Sequence, residues 1–134
     1  MRTNQDQIDI VFDKLRGTAL QSAITGKLAK HVRPTNSNQE DVVINSLVTT
    51  NTQLQKGILN VNIHVPNIQA TLEGGVVHVV PNHNRLNELT KIAIPLLKDV
   101  WGYDWDFDIE QINTIREDTS SFNNIRIAFQ SINV

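Results

Sequence analysis

The chain has no cysteine, which removes disulfides, thiolate metal sites and cysteine nucleophiles, and fits a reducing compartment. No apolar run approaches the roughly 20 residues that a membrane helix requires. The first seven residues, Met-Arg-Thr-Asn-Gln-Asp-Gln, hold no apolar signal core, so the sequence reads as a soluble, unexported chain. Net charge is only −2 at pH 7, against a protein that grips nucleic-acid backbones by neutralising phosphates. No serine sits in a Gly-x-Ser-x-Gly turn, and Gly74-Gly75 lacks the spacing, lysine and following helix of a phosphate loop. His31, His64, His78 and His83 match no zinc spacing. The expectation is a chain without catalytic residues, metal or cofactor. A hydrolase holding a divalent ion on Asp106 and Asp108 is the residual enzymatic reading.

What is present is pattern. In residues 104 to 110, Asp-Trp-Asp-Phe-Asp-Ile-Glu, acids alternate with large apolar side chains at period two. On a strand this sends Trp105, Phe107 and Ile109 to the core and lines Asp104, Asp106, Asp108 and Glu110 along the opposite face, with Arg126 a candidate cross-strand partner. Charge is also uneven along the chain. Residues 1 to 33 hold six basic residues against three acids, whereas residues 99 to 118 hold seven acids against Arg116 alone. Lys27, Lys30 and Arg33 form a candidate basic interface. Complementary patches of this kind can meet between neighbours head to tail, or pair within one protomer; the counts fit both.

At 134 residues the chain reads as one domain spanning residues 1 to 134. Ile8, Val11, Phe12 and Leu15 keep helical spacing after a cap at Asn4 or Thr3, and Gly17 ends that helix. Ala19, Leu20, Ala23 and Ile24 make one or two further turns before Gly26, expected as the C′ residue. Leu28 to Val32 reads weakly as a strand. Residues 33 to 41 carry no large apolar side chain and form a loop, with Asn36, Ser37 and Asn38 as a candidate contact segment. Asp41 to Thr49 is a strand with Val42, Ile44 and Val48 in one parity and Val43 and Leu47 in the other. Ile58 to Val65 is a strand stopped by Pro66, and residues 66 to 82 form an excursion or small flap around Gly74-Gly75. A helix capped by Asn82 or Asn84 runs to Trp101, kinked at Pro95, with Gly102 as its exit. Residues 104 to 116 and 122 to 133 form a hairpin. The order predicts an α+β domain: a largely antiparallel sheet of about five strands, with one long helix and a short N-terminal helix packed on one face.

The segments Arg33-Pro34-x-Asn36-Ser37, Glu40-Asp41-Val42-Val43-Ile44-Asn45 and Asn60-Val61-Asn62-Ile63-His64-Val65-Pro66, in this order of elements, resemble small prophage-encoded proteins similar to the tail-completion, or tail-terminator, proteins of long-tailed bacteriophages. The resemblance spans most of the chain and carries over no catalytic residue. It implies a non-enzymatic subunit that forms a ring, typically a hexamer, capping the tail tube and presenting the surface to which the head connector docks. It implies assembly in the bacterial cytoplasm and a final place in the virion tail. Asp104, Asp106, Asp108 and Glu110 are then expected at an assembly or lumen surface, where like charge keeps passing DNA from sticking. Residues 33 to 41 and 66 to 82 are the expected contact arms, although Gly74-Gly75 has no placed counterpart in that family. The other reading open at this point is an intracellular adaptor that binds another protein through a sheet edge or loops, with no membrane and no specific nucleic-acid partner.

Overall fold

The computed structural model describes residues 1–132. The sheet has six strands rather than about five, and the helices number three among the described residues. In chain order the elements are α1 (Asn4–Leu15), α2 (Ala19–Ala23), β1 (Leu28–Lys30), β2 (Asp41–Thr49), β3 (Leu54–Pro66), β4 (Ile68–Thr71), β5 (Val77–Val80), α3 (His83–Leu97), β6 (Val100–Trp101), β7 (Trp105–Arg116) and β8 (Ser120–Ile132). The main sheet runs β1-β2-β3-β8-β7-β6, with only the β1–β2 pair parallel. The excursion is the separate hairpin β4–β5.

Local chemistry explains most boundaries. Thr3 accepts from the Asp6 amide while the Asp6 carboxylate accepts from the Thr3 amide, a reciprocal capping box that starts α1. Asn82 caps α3 by accepting from the Arg85 amide. That helix stops at Leu97, short of the expected Trp101. Pro95 has no amide to give the Lys91 carbonyl, and four residues later the chain turns at Asp99 (φ 50°) to lay Val100 and Trp101 beside β7. Gly26 is no C′ residue either. Ile24 caps α2 in an extended conformation, and Gly26 is needed because a side chain there would run into Asp41 and the Glu40 carbonyl.

The core lies between one sheet face and the three helices. Ile8, Val11 and Leu15 of α1, Leu20 of α2, and Leu86, Leu89, Ala93 and Leu97 of α3 pack on Val42, Ile44, Leu59, Val61, Ile63, Phe107, Ile125, Ile127 and Phe129. Trp105, Phe107 and Phe129 stack almost parallel, with centroids 5.9 to 6.2 Å apart. The expected parity of β2 fails past Ser46. A bulge between Ser46 and Val48 moves Val48 to the outer face opposite Ile58 and leaves Leu47 exposed. A second bulge, between Ile109 and Gln111, ends the alternation that opens β7.

Polar ties fasten the elements. Arg85 donates to both carboxylate oxygens of Glu40 (2.6 and 2.9 Å) and to the Ala23 carbonyl, joining α3, the head of β2 and α2. Asn123 of β8 donates to Thr90 of α3 at 2.8 Å in the interior.

Candidate assembly surfaces

The four ladder acids do not act as a free ladder. Asp104 is paired with Arg2 at 2.7 Å, so the basic and acidic chain segments meet here within one protomer. Asp108 accepts from the Asp99 amide (3.0 Å) and the Ile109 amide (2.8 Å), and these bonds hold its pKa below the ordinary carboxylate value. Asp106 accepts from Gln130 across the strand pair, and Glu110 sits exposed at the bulge. Arg126 does not serve them. The bulge sets it opposite Gln111, and its buried Nε has no hydrogen-bond partner among the described residues. What the acids do line is a groove of about 520 Å³ on the outer face, floored by Val48, Ile58 and Ala128 and walled by Asp106, Asp108 and Glu110.

The candidate basic interface is similarly spent. Lys30 binds Asp9 at 2.7 Å and lies 4.6 Å from the Phe12 ring centroid, and its hydrogen bond lowers the Asp9 pKa. Arg33 donates to Asp41 (2.9 Å), Ser120 and the Gln39 carbonyl. Lys27 alone of the three stays exposed without an ion pair among the described residues. Residues 33 to 41 are stapled down by the same contacts. Ser37 donates to Asp41, while Asn36, at φ 57°, and Asn38 face solvent. Asp41 is almost fully buried. Burial opposes its ionisation, but hydrogen bonds from Ser37, the Lys27 amide and Arg33 outweigh that cost and hold its pKa below the usual value.

Beside this cluster lies His64, paired in register with Asp41, its ring tilted by 36° against that of Phe122 with centroids 4.8 Å apart. Its Nδ1 is buried without a hydrogen-bond partner among the described residues, and desolvation, aided by the Arg33 charge and opposed by Asp41, pushes its pKa down to about 4. The sequence reading placed His64 among four histidines that match no zinc spacing and within the segment Asn60-Val61-Asn62-Ile63-His64-Val65-Pro66, without a role of its own. His31 and His78 are exposed on the β1 exit and β5, and His83 is the first residue of α3. Among the described residues no group of three His, Asp or Glu side chains is placed to hold a metal ion.

Two further surfaces are apolar: the 66 to 82 excursion, expected as a contact arm, and a recess that the sequence reading did not anticipate. β4–β5 is an arm whose Ile68, Leu72, Val76, Val77 and Val79 are all about half exposed. It is anchored at the end of the sheet by Asn67, whose amide donates to the Thr119 carbonyl, and by Arg116, which donates to the Val79 carbonyl. At the opposite end, Trp101, Tyr103, Leu54 and Ile132 are exposed around a recess of about 370 Å³; Tyr103 is wholly exposed and Trp101 is 76% exposed. β3 spans the distance between the two ends, and its 13 residues reach roughly 40 Å at strand rise. Period-two patterns identify which residues face a core but not which apolar residues are left over once the core is full. No helix among the described residues is long and apolar enough to cross a membrane. Neither the protein-family models nor the curated proteins compared with this chain give a match.

Proposed function

We propose that this protein is a non-enzymatic structural subunit of a phage or prophage tail, similar to tail-completion or terminator proteins, which closes into a ring and joins the tail tube to the head connector. One observation carries the assembly part of this reading: two unlike apolar surfaces, the β4–β5 arm and the Trp101/Tyr103 recess, occupy opposite ends of one sheet. Monomeric soluble proteins rarely leave two such patches open. Because the patches differ, the contact that covers both is heterologous, and a heterologous contact closes a ring when its rotation permits. The tail assignment itself rests on the sequence resemblance, with the tail tube and head connector as its partners, the bacterial cytoplasm as the site of assembly and the virion tail as its destination.

Light scattering across protein concentration, with electron microscopy of any large species, tests the proposal. A closed ring, expected as a hexamer, supports it. A monomer at every concentration, with or without purified tail tube, overturns it. The monomer would favour the adaptor reading, for which the specific observation is the β7 edge beyond β6, which no strand covers among the described residues.

A further inference from the structure

We propose that β7 pairs antiparallel with β7 of a second copy of this chain, about a two-fold axis at Asn113, joining two sheets into one. β6 covers β7 only at Asp106 and Phe107, and Asp99 occupies the place beside Asp108 through its amide. At the other end, the Arg116 guanidinium reaches the Val79 carbonyl of the arm. Between these limits Glu110–Arg116 has β8 on one side and no strand on the other among the described residues, and every one of its side chains is exposed. A bare edge presents unpaired amides and carbonyls that template another strand. The usual safeguards are thin here: the stretch Glu-Gln-Ile-Asn-Thr-Ile-Arg has no proline, glycine or lysine, and its bulge lies at one end only.

The sequence of the stretch chooses the occupant. In the antiparallel pair centred on Asn113, Glu110 falls opposite Arg116 of the second copy, Gln111 opposite Ile115 and Ile112 opposite Thr114. Glu110 and Arg116 have no ion-pair partner inside the protomer among the described residues, so the dimer gains two crosswise Glu–Arg pairs. Neighbouring registers are worse. Sliding by two residues one way sets Glu110 against Asp118, and sliding the other way drives Arg116 into the space held by Asp99. The contact is isologous, and so goes beyond the head-to-tail ring contacts and does not depend on them.

The chain has no cysteine, so Asn113→Cys introduces one thiol per protomer. Directly opposed antiparallel residues have Cα atoms about 4.5 to 5.5 Å apart, within disulfide reach. Mild oxidation of Asn113→Cys should give a covalent dimer at least ten times faster than Lys91→Cys, which places its thiol on the exposed face of α3. Adding Glu110→Arg or Arg116→Glu singly should slow that crosslinking several-fold, and both together should restore it. Crosslinking no faster than at Lys91, or indifferent to single charge reversal, overturns the pairing. Crosslinking abolished by Val77→Asp in the arm would assign the contact to the arm and overturn it as well.

Discussion

At the residue scale, the least expected group is His64, a titratable ring nearly sealed between β2 and β8. Its pKa lies near 4 in the folded chain and near 6.5 when unfolded, so between these values the unfolded chain binds more protons. Stability conferred by the neutral ring is therefore full above about pH 6.5 and is lost as pH falls toward 4. Its ceiling is about 3 kcal/mol. Asp41, with a lowered pKa, adds a loss that begins lower, as pH falls below the ordinary carboxylate value of 3.8. Thermal unfolding of His64→Phe, which keeps an aromatic ring against Phe122, should lose most of the wild-type decline between pH 6.5 and 4 while retaining the decline below it. An unchanged profile would place the titration elsewhere. At period two His64 shares a strand face with Asn60 and Asn62, opposite Leu59, Val61, Ile63 and Val65. Its burial arises because Arg33, folded back from a loop 31 residues earlier in the chain, meets Asp41 and Ser120 beside it.

At the element scale, the β4–β5 arm separates folding from assembly. It pairs only with itself and touches the sheet chiefly through Asn67 and Arg116. Leu72→Asp and Val77→Asp alter exposed side chains, so each should shift stability by no more than about 0.5 kcal/mol. Each should also abolish ring formation, read by light scattering beside a melting curve. Trp101→Ala at the other end should have the same pair of effects. A large loss of melting temperature would show instead that the arm belongs to the fold. The turn at Gly74-Gly75, with both glycines at positive φ (85° and 78°), was legible as punctuation. The exposure of its valines was not. A run of valines reads the same whether it enters a core or remains uncovered.

At the scale of the whole molecule, it is the basic segment that is largely consumed internally: Arg2 takes Asp104, Arg16 takes Asp13, Lys30 takes Asp9 and Arg33 takes Asp41, whereas Asp104 alone of the seven acids of residues 99 to 118 has an ion pair among the described residues. A ring closed by the two apolar ends should therefore persist as salt is raised from 50 mM to 1 M, because hydrophobic contacts are not screened as surface charges are. Dissociation into monomers over that range would return the contact to the charged segments. By contrast, the proposed β7 edge dimer relies on Glu110 and Arg116 and should weaken with salt.

The sequence by itself determined the α+β class, the positions of most strands, each major helix cap to within two candidate residues, and the inward set Trp105, Phe107 and Ile109. Each of these follows from local periodicity, capping chemistry or turn residues, which act over a few neighbouring positions. Only the tertiary structure decided that β8 lies in the middle of the sheet, paired along its whole length with β3 as well as β7. An apolar face specifies that a strand is covered but not which strand lies beside it. The two bulges, the short β6 taken from the expected end of the helix, and the capture of Lys30, Arg33 and Asp104 by partners within the protomer were decided there too. All depend on contacts between residues distant in sequence. The surfaces available for assembly are what remains after those contacts are made.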